Sequence, residues 1–148
     1  MNAAAAPAIN TEDFARLVHN TAHEWRLALD RRLRPLGLSR ATWMVLAYVR
    51  KLDGPSQTML AEHLGLEGPS VVRLIDRLER EKLVERRVGQ DRRIKTVHLT
   101  PRGEEVSAEI WRVAGHLRRE LLRDIPLEEI ERAMQILTDI HRRLEASR

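Results

Sequence analysis

The sequence predicts a mainly α-helical fold with one short β-hairpin, on three observations. Apolar residues recur at helical spacing through Phe14–Leu33, Trp43–Val49, Val71–Leu78, Val106–Leu121 and Leu127–Leu144. Between Leu83 and Leu99 the period drops to two on either side of Gly89-Gln90-Asp91-Arg92-Arg93, the pattern of a hairpin with a polar tip. Just before it, Gly68-Pro69 opens a helix, since proline at the first helical position gives up an N–H that would be unpaired there anyway. Short helix, glycine turn, second helix and hairpin in that order make a winged helix-turn-helix, here with long flanking helices.

Each element has its own signal. Asn10 or Thr11 caps the first helix, and Glu12 and Asp13 suit the positive end of its dipole. Phe14, Leu17, Val18, Trp25, Leu29 and Leu33 form its apolar stripe, and Pro35 and Gly37 end it. Ser39 caps a second helix running to about Leu52, mostly buried through Trp43, Leu46, Ala47 and Val49. Asp53-Gly54-Pro55-Ser56 is a turn, and Gln57 to Leu64 a short helix stopped by Gly65. From Pro69 the apolar face is Val71, Val72, Leu74, Ile75 and Leu78, while Ser70, Arg73 and Arg77 share another face. Thr100-Pro101 caps and starts the next helix, in which Gly115 costs about 1 kcal/mol against alanine unless a neighbouring backbone packs closely there. Pro126 starts the last helix, whose Leu127, Ile130, Met134, Leu137, His141 and Leu144 approach a heptad pattern.

The expected organisation is a flexible N-terminus (1–10), a dimerisation helix (11–38), the winged helix-turn-helix (39–100) and C-terminal dimerisation helices (101–148). No apolar run approaches twenty residues, and the alanine-rich start lacks the basic and apolar regions of a secretory signal, so a cytoplasmic location away from membranes is expected. The chain has no cysteine, which removes disulfides, thiolate zinc sites and thiol redox sensing together. It has no glycine-rich phosphate loop and no nucleophile elbow, so neither an enzyme nor a cofactor is expected. His19 and His23 lie one helical turn apart, but without a further ligand cluster they do not predict a metal site.

Charge points to the partner. Between Gly68 and Arg102 there are ten Lys/Arg and five Asp/Glu, a net of +5 on a chain whose total is +4. A basic module on a near-neutral body is the footprint of phosphate contacts, so the expected partner is double-stranded DNA. The recognition helix suits a major groove and the hairpin tip a neighbouring minor groove. The other reading is a winged-helix module that binds protein without reading DNA sequence; steep loss of DNA affinity with salt separates the two. The flanking amphipathic helices have too little domain of their own to cover, which predicts a homodimer with two recognition helices about 34 Å apart on a palindromic operator, the alternative being an intramolecular three-helix packing in a monomer.

The order of elements, the Asp91-Arg92-Arg93 tip and the run Leu99-Thr100-Pro101-Arg102-Gly103 resemble the MarR family of bacterial transcription regulators. Trp25-Arg26, Asp30-Arg31-Arg32-Leu33-Arg34-Pro35-Leu36, Trp43 and Pro69-Ser70-Val71-Val72-Arg73 resemble its SlyA branch, and the likeness spans about Leu17 to Leu144. The resemblance implies an obligate dimer intertwined through its terminal helices, acting by repression or by displacing another DNA-binding protein. It puts Pro69, Ser70, Val71 and Arg73 at the groove-facing start of the recognition helix, with Arg77 continuing that side. Asp91 and Arg93 correspond to the family's D-x-R wing pattern, in which the arginine enters the minor groove and the aspartate orders the tip; Arg92 belongs to the same set. The resemblance also implies a small aromatic acid ligand such as salicylate. The candidate pocket wall is His23, Trp25 and Arg26 on the first helix and Trp43 on the second, an arginine or histidine for the carboxylate and a tryptophan for the ring.

Overall fold

Thr11–Leu33 form α1, begun by Asn10, whose side-chain oxygen accepts the Glu12 N–H at 3.0 Å. The structure is a computed structural model that describes residues 10–147, so the flexible segment expected at 1–10 lies, Asn10 apart, outside the described residues. A single 3-10 turn, Arg34–Leu36, follows α1 and ends at Gly37, whose φ of 73° is a left-handed conformation that glycine adopts without penalty. Only the end of the α1 apolar stripe is buried, at Leu29 and Leu33; Phe14, Leu17 and Val18 stand exposed on the single chain.

Serines start the next two helices. Ser39 Oγ accepts the Thr42 N–H to begin α2 (Arg40–Leu52), and Ser56 Oγ accepts the Met59 N–H to begin α3 (Gln57–Leu64). Gly65, at φ 62°, closes α3 by donating its N–H to the carbonyls of Ala61 and Glu62. Three residues later α4 (Gly68–Arg80) begins with proline in its first turn. The strands β1 (Val84–Val88) and β2 (Lys95–Leu99) pair antiparallel, with Val84 opposite Leu99 and Val88 opposite Lys95. The backbone just before α3 extends this sheet: Ser56 bridges Thr96, and the Val97 N–H donates to the Pro55 carbonyl at 2.9 Å.

The core of this part of the chain is made by Val45, Leu46 and Val49 of α2, Leu60 of α3, Val71, Ile75 and Leu78 of α4, and Leu83, Val84 and Val97 of the hairpin. Each such side chain withdrawn from water contributes about 1.5–3 kcal/mol before entropy is counted. The helix periodicity of α4 and the two-residue period of the strands therefore converge on one interior.

The start of α5 (Pro101–Leu122) is tied to the start of the hairpin. Thr100 Oγ1 accepts the Gly103 N–H at 3.0 Å and donates to the Lys82 carbonyl at 2.6 Å, while the Thr100 N–H donates to the Leu83 carbonyl at 3.1 Å. Gly103 packs so close to that strand that a Cβ on it would lie 1.9 Å from the Leu83 carbonyl oxygen. The Leu-Thr-x-x-Gly run thus has a physical reason: a cap that also holds the strand, and a glycine because the backbones touch. The chain divides into two compact units, Met1–Ala114 and Gly115–Arg148. The second contains α6 (Leu127–Ala146), none of whose described side chains is buried; Leu127, Met134, Ile136, Leu137 and Leu144 are all exposed on the single chain.

Candidate nucleic-acid interface

The α4 helix is amphipathic in the sense the fold requires: Val71, Ile75 and Leu78 face inward and Pro69, Arg73, Asp76, Arg77 and Arg80 face out. Arg73 is exposed one turn from the helix start and donates to the half-buried Ser70 Oγ at 3.3 Å. Arg77 is less free. It donates to Thr42 Oγ1 of α2 at 2.6 Å and lies 3.6 Å from the Glu81 carboxylate, so part of its work is holding α4 against α2. Val71, which the sequence reading put both in the apolar stripe and among the groove residues, is 0% exposed, so its side chain packs in the core. Position 71 falls about 100° round the helix from 70 and 72, which turns it inward while Ser70 stays at the edge.

At the wing, the Gly89 N–H donates to the Ile94 carbonyl and the Ile94 N–H to the Asp91 carbonyl, both at 2.9 Å, which closes the tip. Asp91 organises it further. Its Oδ1 accepts the Arg93 backbone N–H at 3.0 Å and Nε at 3.2 Å, and its Oδ2 accepts Nη2 at 3.1 Å. The Arg93 side chain and then its backbone N–H hold the Asp91 carboxyl below the usual aspartate range. The Arg93 side chain is nonetheless 89% exposed, so it is oriented without being covered; Arg92 is exposed beside it. A preordered, solvated guanidinium at a hairpin tip matches the narrow, electronegative minor groove of A·T tracts.

Sequence reasoning missed Arg86. It lies on β1 opposite Val97, on the face that also carries the buried Val84, and its side chain is only 16% exposed. Its backbone N–H donates to Glu79 Oε1 at 2.8 Å, and its guanidinium pairs with the other Glu79 oxygen, with Asp76 at 2.7 Å and with Gln57 Oε1 at 2.7 Å. One strand residue therefore grips both α3 and α4. Strand parity held a signal: alternation from Val84 turns Arg86 inward, where an arginine demands acidic partners.

The candidate ligand residues occupy separate surroundings. His23 and Arg26 are exposed on α1, and Trp25 is half-buried. Trp43 is 8% exposed, in the core, with its indole N–H donated to Asp30 Oδ1 at 2.7 Å. Arg40 Nε donates to the other Asp30 oxygen at 2.6 Å. Burial works to raise the Asp30 carboxyl, but the hydrogen bonds from Arg40 and Trp43 and the charges of Arg40 and Arg34 outweigh it, and its pKa lies below the ordinary value. A surface concavity of about 680 Å³ beside this cluster is lined by Asp30, Arg34, Gly37, Leu38, Ser39 and Arg40, not by the four candidates. His19 and His23 are both exposed, and among the described residues no three His, Asp or Glu side chains are grouped to hold a metal ion. Among the same residues, no helix is long and apolar enough to cross a membrane.

A helix-turn-helix followed by an arginine-tipped hairpin, with long helices on both sides, defines a winged-helix protein. The sequence model of the MarR family matches residues 36–94, from the end of the turn after α1 to the far side of the wing tip. The transcriptional regulator PA3341, known from its crystal structure, is 41% identical at a TM-score of 0.83, over 90% of this chain and 98% of that one. The chain belongs to the MarR family. The MepR–DNA complex of S. aureus is 28% identical at a TM-score of 0.73, covering 88% of this chain and 97% of that one. Apo MarR from E. coli shares the fold at 24% identity and a TM-score of 0.73, over 91% of this chain and 98% of that one.

Proposed function

We propose that this protein is a sequence-specific DNA-binding transcriptional regulator that acts as a homodimer on a palindromic operator. The observation that carries the reading is the pair of exposed arginines on adjoining elements: Arg73 at the start of α4, and Arg93 at the wing tip, 89% exposed and held by Asp91. Arg73 bridges guanine O6 and N7 in the major groove, a contact worth about 1–3 kcal/mol of base discrimination. Pro69 and Ser70 bring the helix start to the groove floor, Arg77 reaches a phosphate, and Arg92 and Arg93 enter the minor groove. MepR, solved as a DNA complex, lends support as a family relative. In vitro selection from random duplexes tests the reading: an inverted repeat should emerge, bound with an affinity that falls steeply with salt. Selection of no motif would reject it.

The dimer is carried by the apolar row on α6 and the exposed first half of the α1 stripe, which a second copy would cover. The same reading puts the chain in the SlyA-like branch and makes a small aromatic acid such as salicylate its modulator. Arg26 or His23 takes the carboxylate and a tryptophan, Trp25 or Trp43, supplies the apolar face for the ring. Such a ligand acts only through different affinity for DNA-competent and DNA-incompetent states. Salicylate titration against the bound operator should release DNA; an unchanged complex at millimolar ligand would reject this part.

A further inference from the structure

We propose that Arg86 is a positioning residue that sets the angle of the wing to the recognition helix and so aims Arg93. The inference rests on the DNA-binding reading above and concerns a side chain that is only 16% exposed and turned toward α3 and α4. Arg93 hangs from the hairpin, and Arg73 sits on α4. For both to meet one duplex, the hairpin must keep a fixed orientation to the helix. A two-stranded ribbon is intrinsically twistable and marginal alone, so that orientation must come from contacts outside it.

Val84 and Val97 in the core and the bonds of β2 to Pro55 and Ser56 seat the hairpin, and Arg86 adds the side-chain contacts that tie β1 to both α3 and α4. Its guanidinium reaches Asp76 and Glu79 on α4 and Gln57 on α3, and its own backbone N–H is taken by Glu79. Asp76 and Glu79 are one turn apart, so the planar fork of arginine fits between them, and a lysine ammonium does not span all three partners. Nearby wing charges do not substitute. Arg87 pairs with Glu85 of the same strand, and Arg93 with Asp91 of the same tip. α4 is seated by its own apolar face, through Val71, Ile75 and Leu78, and does not depend on Arg86 for its place. Loss of Arg86 should therefore misdirect the wing and spare the helix. It also leaves Asp76 and Glu79 unneutralised near the phosphates, a charge effect that the test separates from aim.

The test is a pair of double-mutant cycles on the duplex selected by the wild-type protein, with thermal unfolding at matched concentration to confirm folding. In the wild-type background Arg93→Ala should weaken binding about tenfold, the size of one good arginine contact. In an Arg86→Met background that penalty should shrink to about twofold or less, while the Arg73→Ala penalty stays within about twofold of its wild-type value, the scatter of independent sites. Arg86→Lys should behave as Arg86→Met. Glu79→Gln, which keeps the shape and removes one partner, should reduce the Arg93 penalty in the same direction and serves where Arg86→Met does not fold. A full Arg93 penalty in the Arg86→Met or Glu79→Gln background overturns the proposal, because charge alone would then explain any loss. Equal shrinkage of the Arg73 and Arg93 penalties overturns it too, by reducing Arg86 to general stability. A wild-type protein that selects no duplex instead rejects the DNA reading itself.

Discussion

Gly103→Ala sets two known effects against each other on one helix. By intrinsic propensity alone the substitution stabilises α5 by about 1 kcal/mol. The structure says the opposite. The new Cβ would lie 1.9 Å from the Leu83 carbonyl oxygen and 2.9 Å from its carbon. A carbon–oxygen contact relaxes to about 3.3 Å, so helix and strand must part by roughly 1.4 Å. Both sides of that contact are backbone, and neither can swing away. The displacement also stretches the Thr100 N–H bond to Leu83 and the Thr100 hydroxyl bond to Lys82, each worth about 1 kcal/mol. With overpacking of about 1–3 kcal/mol added and the propensity gain subtracted, the net loss is about 2–4 kcal/mol. At roughly 2–4 °C per kcal/mol, Tm should fall by about 5–15 °C, read at fixed protein concentration because a dimer makes Tm concentration-dependent. Gly115→Ala is the internal control. Its Cβ meets only the guanidinium ends of Arg119 at 3.4 Å and Arg118 at 3.7 Å, which move aside, so this variant should gain up to about 1 kcal/mol. Gly103→Ala as stable as the wild type would refute the account of the Leu-Thr-x-x-Gly run.

Arg93→Ala should weaken binding to all operator variants alike, whereas Arg73→Ala should also flatten preference at one base position; equal affinity of both variants and the wild type in a binding-site scan would reject the assignments. Asp30→Asn should lower stability by about 1–3 kcal/mol near neutral pH, since Arg40 and Trp43 lose a charged acceptor. Because the folded Asp30 pKa lies below its unfolded value, that contribution is complete above about pH 4 and disappears as pH falls through the folded value, so urea unfolding of wild type and variant should converge in acid. Met134→Glu on the exposed α6 row should turn a dimer into a monomer by light scattering; a wild-type monomer at micromolar concentration would remove the dimer altogether.

The reading of the sequence went furthest where the deciding interactions span three or four residues. Ser39, Ser56 and Thr100 start helices by bonding their own first turns, and Gly65 stops one by its left-handed backbone. With Gly68-Pro69 marking α4 and the two-residue period marking the hairpin, local signals placed α2, α3, α4 and the hairpin to within a residue or two, although the sequence marks Ser56 only as part of a turn. The D-x-R tip was marked by the resemblance to the MarR family, and in the structure Asp91 holds Arg93 two positions away. By contrast, Val71 read as both core and groove residue, and only its neighbours put it wholly in the core.

Local chain chemistry was thus enough for the order and kind of the elements, the basic face and the wing, all of which follow from periodicity, caps and charge carried by neighbouring residues. Contacts between elements were decided by folding. Arg86 meets Glu79 seven residues away and Gln57 twenty-nine away, Arg77 meets Thr42 across thirty-five, and Gly103 meets Leu83 across the whole hairpin. Such pairs leave no spacing in the sequence, since the partner's identity depends on which faces the helices bury, and that is chosen by the packing of the core as a whole.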